Sequence, residues 1–366
     1  MMIIHCSDLH LDADLGSRFD REEASQRRAE LMHTFRRLCS YARQNSVRCI
    51  LICGDLFDTQ TPSPAAIRAV EDLICTHKEI LFFLLRGNHD AETALFAVRP
   101  RPDNCFVFSD SWTEWTLHDP SMGGRTICIA GREPHDGLFT APTLNPASLN
   151  IVMLHGQVRE GTAASGAETI PLGALRGVGI DYLALGHLHK YRAFPLDARG
   201  TAAYSGCLEG RGFDECGPCG FVLLDTDVPD GISSRFVPFA SRCLYDISCD
   251  VTGCGNDADV YERIGDALRS APAAETDLVR LELTGALEYG CSPDPALIRS
   301  EWADCYHYFD YINSAVPVIH SEDFVCDATL KGEFVRVVRA AEDLDDAMKA
   351  KIMRCGLRAL SGDSLF

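Results

Sequence analysis

Short apolar runs broken by polar turns fill the first 240 residues. Met2 to Cys6 reads as a strand, and Ser25 to Asn45 as a helix whose apolar side carries Leu31, Phe35, Leu38 and Ala42. Val47 to Cys53 is a continuous apolar strand. Pro62 and Pro64 open a second helix bearing Ile67, Val70 and Ile74, and Ile80 to Leu85 forms a third strand. This βαβαβ order predicts a parallel sheet. Further runs at Ile127 to Ala130, Leu149 to Leu154, Tyr182 to Leu185, Phe221 to Leu224 and Phe236 to Phe239 add strands with little helix between the last few. The expected fold class is α/β, with a two-sheet α/β sandwich over residues 1–240. Beyond it the pattern changes to a strand over Cys243 to Val251, a helix near Val260 to Ser270, a strand over Leu278 to Leu283, and helices over Lys331 to Ala341 and Asp343 to Leu360. Residues 241–366 are therefore expected to form a smaller α+β domain. Phe334, Val335, Val338, Leu344, Met348, Ile352, Met353 and Leu357 make an apolar stripe suited to a core, with partner docking as the alternative.

Polar clusters stand directly after five of these strands: Asp8-Leu9-His10, Gly54-Asp55-Leu56-Phe57-Asp58, Gly87-Asn88-His89-Asp90, His155-Gly156 and Gly186-His187-Leu188-His189. In open α/β sheets ligands bind beyond the carboxyl ends of strands, so five loops converge on one edge. Each cluster alone is weak evidence: an Asp-x-His arises by chance, and a Gly-Asp can cap a turn. Their joint order and placement point to two divalent metals. Carboxylate, imidazole and amide oxygen together suit Mn, Fe or Zn better than Mg or Ca. One workable assignment gives one ion Asp8, His10 and His189, and the other Asn88, His155 and His187, with Asp55 bridging. Such a pair can generate hydroxide near neutral pH for in-line attack on a phosphoester. His89 is the expected general acid, with Asp90 biasing it and Asp58 orienting from outside the metal ligands.

Composition narrows the setting. The 17 cysteines are scattered, several inside apolar strands, which fits reduced thiols. Cys216-Gly217-Pro218-Cys219 precedes a strand and reads as a hairpin turn rather than a redox pair. The formal charge is -19, growing more negative toward the carboxyl end, so no general basic surface exists to hold nucleic acid. Any DNA contact must be local and metal-assisted, or supplied by a partner. No apolar stretch approaches the roughly 20 residues that cross a bilayer, and Asp8 comes too early for a signal peptide, so no membrane association and a cytoplasmic location are expected. No G-x-x-x-x-G-K-[ST] loop is present, which leaves this chain without an ATP site.

With the motifs D-x-H, G-D-x-x-D, G-N-H-D, H-G and G-H-x-H in this order, residues 1–240 resemble the calcineurin-like metallophosphoesterase superfamily. His5 to Leu11, Gly54 to Asp58 with Pro62-Ser63-Pro64, Gly87 to Asp90, and the stretch through Tyr204-Ser205-Gly206, Gly210-Arg211, Glu215 and Gly220 are similar to SbcD-like DNA-repair exonuclease subunits. The resemblance implies a manganese-dependent DNA nuclease with a capping domain, working with an SbcC-like coiled-coil ATPase docked through carboxy-terminal helices. Pairing of two copies is open. Some family members carry His at the position of Asp58, and many carry Pro and Lys where this chain has Ser205 and Cys219; these departures are expected to bear on substrate or partner. Arg211 is the candidate phosphate contact, with Arg159 and Lys190 also near the metal motifs. A metallophosphatase for a small phosphoester or phosphoprotein, and a regulatory scaffold with a vestigial site, are the alternatives.

Overall fold

Strands apolar on both faces need cover on both sides, and the chain meets this by stacking two mixed sheets. The computed structural model describes residues 1–361 except 94, 119–125, 136–137, 164–165, 230, 289–290 and 319–326. It divides into two units, Met1–Cys243 and Leu244–Phe366.

The first unit runs β1 (Met2–Cys6), α1 (Arg21–Gln44), β2 (Val47–Cys53), α2 (Pro64–Thr76), β3 (Leu81–Leu85), β4 (Cys105–Val107), β5 (Thr113–His118), β6 (Thr126–Gly131), β7 (Leu149–His155), β8 (Gln157–Arg159), β9 (Thr169–Pro171), α3 (Leu172–Leu175), β10 (Tyr182–Gly186), β11 (Arg192–Pro195), β12 (Thr201–Tyr204), β13 (Gly220–Asp225) and β14 (Ser233–Pro238). One sheet has the order β14-β13-β1-β2-β3-β4, and the other β11-β12-β10-β7-β6-β5. The pairs β1–β2, β2–β3, β6–β7 and β7–β10 are parallel, so their carboxyl ends share an edge within each sheet. Ile3, Leu51 and Phe83 from one sheet and Ile129, Ile151, Met153 and Tyr182 from the other form one buried core. Each such side chain contributes on the order of 2 kcal/mol of apolar burial. The two-sheet α/β sandwich is the architecture observed.

Three local departures have clear causes. Helix α1 begins at Arg21 rather than Ser25, because the Asp20 carboxylate accepts the Glu22 and Glu23 backbone N–H groups and acidic residues fill the first turn. Strand β5 escapes the apolar-run reading because it is an edge strand that alternates half-buried and exposed positions. Cys216 to Cys219 is not a hairpin turn: it lies on the connection from β12 to β13, which belong to different sheets.

The second unit contains β15 (Leu244–Asp250), α4 (Asp257–Ser270), β16 (Leu278–Thr284), β17 (Ala286–Glu288), α5 (Pro295–Trp302), β18 (Tyr308–Asn313), β19 (Val316–Val318), α6 (Leu330–Ala340) and α7 (Asp346–Ser361). β15, β16 and β18 form a parallel sheet with α4 and α5 as crossovers, closed over Val260, Ile264, Leu268, Leu281 and Ile298. Helices α6 and α7 meet through Phe334, Val335, Met353 and Leu357, so part of the predicted stripe is spent between the two helices, while Met348 stays exposed. No described helix is long and apolar enough to cross a membrane.

Candidate metal centre

The loops after β1, β2, β3, β7 and β10 converge, and their backbones are held in an unusual form. Asp8, His10, Asp55 and His187 all have positive φ, at 52°, 45°, 50° and 104°. Non-glycine residues enter that region at a cost of about 1–3 kcal/mol each, and four of the seven that do so among the described residues are expected metal ligands. Hydrogen bonds between loops sustain the strain: Asp8 N–H donates to Gly54 O at 3.1 Å, and His10 N–H to Asp55 O at 3.0 Å. The two sheets also approach closely here. A Cβ at Gly186 would lie 1.8 Å from Cys53 O and 2.8 Å from His155 Nδ1, so only glycine fits before His187.

The side chains then fall into place. His10 Nε2 and His189 Nε2 are 3.3 Å apart, and His189 Nε2 lies 3.8 Å from Asp8 Oδ1. Asp55 Oδ2 lies 3.3 Å from His155 Nε2 and 3.8 Å from His10 Nε2, between histidines of the two expected ligand sets. Asn88 Oδ1 is 3.0 Å from His155 Nε2. His187 is half-buried, its ring 5.4 Å from that of His155, and its N–H donates to both oxygens of Asp8 at 3.0 and 3.1 Å. All seven expected metal-ligand residues are thus in one place.

The groups behind them decide which ring nitrogens point inward as lone pairs. His189 Nδ1 is 2.7 Å from Glu215 Oε1, His155 Nδ1 is 2.9 Å from Cys53 O, and His10 Nδ1 is 2.9 Å from Asp58 Oδ1. For His189 and His155 the acceptor places the proton on Nδ1, which leaves Nε2 as an acceptor, whereas His10 Nδ1 lies close to the Asp58 carboxylate without hydrogen-bond geometry. The three Nε2 atoms, the Asp8 and Asp55 carboxylates and the Asn88 amide oxygen then face a common space. Acceptors at 3.0–3.3 Å from one another repel unless a cation lies among them. The donor set fits divalent metal ions, and the histidine–carboxylate pairs are the usual outer support of such ions.

The charges follow the same logic. Burial opposes ionisation of Asp55, but His155 and His10 outweigh it and hold the carboxyl below the usual range. Burial likewise opposes the charged form of His155, yet Asp55 raises it to about 9, so when no metal ion lies among these groups a proton on Nε2 shared with Asp55 takes the cation's place. Burial lowers His10 and His187. In His189 burial is overcome by Glu215 and Asp8, which raise it.

The remaining expected residues are placed as follows. His89 is exposed, with Nδ1 3.2 Å from Asp58 O and its ring 4.9 Å from that of His10. Its own N–H donates to Asp55 Oδ1 at 3.0 Å. Asp58 touches His10 from outside. Asp90 lies elsewhere than beside the His89 ring: its oxygens accept Gly87 N–H at 2.8 Å, Leu56 N–H at 2.9 Å and Phe57 N–H at 3.2 Å, tying the β2 and β3 loops together. Burial pushes its carboxyl up to about 6. Arg211 is not free to meet a phosphate. It is 7% exposed, and its guanidinium donates to Glu215 Oε1 at 2.7 Å and Asp58 Oδ1 at 2.6 Å, so its charge is already paired. Arg159 and Lys190 are exposed.

Two supports were not foreseen as such. Glu215 orients His189 and anchors Arg211; its position four residues after Arg211 within a family-like stretch was the available signal. Ser205, expected to bear on substrate or partner, instead shares a 2.7 Å hydrogen bond with Ser7 Oγ, which donates to the Asp8 carboxylate. That departure from the family pattern sits behind an expected metal ligand.

A model of calcineurin-like phosphoesterases matches residues 1–191, and the chain belongs to that family. Sequence relatives agree. The chain is similar to the "uncharacterized metallophosphoesterase YhaO" of Bacillus subtilis, 25% identical over 298 residues, covering 78% of this chain and 72% of that protein. It is also similar to the DNA double-strand break repair protein Mre11 of Sulfurisphaera tokodaii, 29% identical over 204 residues, covering 53% of this chain and 50% of the relative. For Mre11 of Methanopyrus kandleri the values are 26% over 263 residues, 65% and 56%. The chain spans about half the length of these Mre11 relatives.

Proposed function

We propose that the protein is a two-metal-dependent phosphodiesterase that cuts DNA, the nuclease subunit of an SbcCD-like repair complex. The observation that carries the phosphoesterase chemistry is the set of inward Nε2 atoms, two of them backed by an acceptor at Nδ1 and the third by the Asp58 carboxylate 2.9 Å from Nδ1, around two buried carboxylates. Asp8, His10 and His189 would hold one ion and Asn88, His155 and His187 the other, with Asp55 shared. Manganese suits this mixed set, with iron or zinc as the alternatives. When bound, the ions lower the pKa of a water and offset charge developing on the phosphoryl group. The exposed ring of His89 is held through Nδ1 at Asp58 O, and in its imidazolium form, with both ring nitrogens protonated, it would present Nε2–H to the leaving oxygen. Glu215 keeps His189 in its metal-facing tautomer, and the Asp58 carboxylate lies beside His10 Nδ1.

DNA as substrate is supported by similarity to proteins named for double-strand break repair. ATP-driven steps would require a separate coiled-coil ATPase chain. The net charge of -19 favours a second reading, a metallophosphatase acting on a small phosphoester or phosphoprotein. A vestigial scaffold is disfavoured because all seven donors are present. Incubating the purified protein with Mn²⁺ and linear DNA, alone and with its ATPase, tests the proposal. Metal-dependent DNA cleavage is expected; turnover of phosphomonoesters only, with DNA intact, would overturn it.

A further inference from the structure

β6 ends at Gly131, and β6 is paired in parallel with β7, which ends at His155. Arg132 therefore leaves the sheet beside the metal centre. Its side chain is under 10% exposed, and its guanidinium carbon lies 5.5 Å from the centroid of the Trp112 ring and 4.9 Å from that of Phe139. Its Nε is buried without an acceptor, and among the described residues no carboxylate pairs with it. The adjacent Glu133 is taken: it receives Nε and Nη2 of Arg86 at 2.8 Å each. Burial lowers the pKa of Arg132, opposed by Asp110.

Buried polar groups without a partner call for a physical reason, and stacking on two rings offsets only part of what burying a cation takes. Arginine donors lie in one plane, so the direction from which an acceptor must arrive is set. Arg132 and His155 line the same niche, of about 10 Å³, which admits one oxygen-sized group. A larger cavity of about 250 Å³ shares Glu133, Pro134 and Ala167 with the niche and extends to Asn88. That is the separation of function a substrate with more than one phosphate demands: metal donors at one place and a fixed, uncompensated cation at another.

We propose that Arg132 binds a second phosphate of the substrate, one of whose oxygens enters the niche beside His155. The identity of that substrate rests on the phosphodiesterase reading; the presence of a phosphate site at Arg132 does not. The test compares the Mn²⁺-loaded protein's affinity for thymidine 3′,5′-bisphosphate and thymidine 5′-monophosphate by calorimetry. The wild type is expected to prefer the bisphosphate by about tenfold or more, and Arg132→Gln to bring the ratio close to one. Arg132→Lys, which keeps the charge but lacks the planar Nε–H, should give an intermediate ratio. A wild-type ratio near one, or an unchanged ratio in Arg132→Gln, overturns the proposal. If the Gln variant does not fold, an unchanged ratio in the Lys variant overturns it equally. A trithymidylate without terminal phosphates that competes for the wild-type site identifies a backbone phosphate; failure to compete identifies a terminal one. Absence of Mn²⁺-dependent diester cleavage would sink the phosphodiesterase reading while leaving the affinity ratio to stand or fall by itself.

Discussion

Glu215→Gln isolates the outer support of the metal centre. Glu215 is 3% exposed and holds two neighbours at once, His189 Nδ1 at 2.7 Å and the Arg211 guanidinium at 2.7 Å. Gln preserves shape and one acceptor oxygen but removes the charge that sets the His189 tautomer. Loss of such a histidine–carboxylate contact weakens metal binding by roughly 10–100-fold, or about 1.4–2.7 kcal/mol. Arg211 keeps Asp58 at 2.6 Å, so the fold should lose about 3 kcal/mol, the lower end for breaking a buried pair. For a unit of this size that is a drop of roughly 6–12 °C in Tm. Burial opposes ionisation of Glu215, but His189 and Arg211 hold its carboxyl below the usual range. Its stabilising contribution is therefore present above the unfolded value near 4.3 and fades as pH falls through the folded value. The Tm gap between wild type and variant should shrink below about pH 4. Glu209→Gln is the control: Glu209 lies on the same connection and accepts from Thr34 Oγ1 and Ser241 N–H, each at 2.6 Å, without a contact to a metal-facing histidine. It should lower Tm while leaving Mn²⁺ affinity intact. Mn²⁺ titration followed by electron paramagnetic resonance reads the difference. If Glu215→Gln binds Mn²⁺ as tightly as wild type, or if Glu209→Gln weakens it equally, the carboxylate does not act through His189.

Two further substitutions separate chemistry from metal retention. His89→Ala should keep both ions, because no expected ligand is removed, and lower turnover by about 10²-fold or more, as loss of a general acid does; unchanged activity would reassign the acid. Asp55→Asn should empty or scramble the centre, since the carboxylate between His155 and His10 loses its charge; two full equivalents of metal by elemental analysis would rule out the shared-ligand assignment.

The parts of the fold that were legible in the sequence share a cause. β1, β2, β3, β7 and β10 are buried runs of nearly unbroken apolar residues, and such runs announce themselves locally. Short or half-exposed strands such as β4, β5 and β11 carry no such mark, because their place depends on the neighbours they pair with. The candidate ligands were legible for the same reason as the strands, since each stands at the end of one.

By itself the sequence determined the order of the buried apolar strands and the helices between the first three, the residue types at five strand ends, and so the class of chemistry available. Only the tertiary structure decided how those residues are held. Asp90 braces two loops instead of flanking His89, Arg211 is neutralised by Glu215 and Asp58, Ser205 backs Asp8, and Arg132 is buried with no carboxylate paired to it among the described residues. The physical reason is that a side chain's partners are set by groups far along the chain: Arg211 meets Asp58 across 153 residues and His187 meets Asp8 across 179. Local spacing has no access to such contacts. They arise only when two sheets bring their loops to one edge.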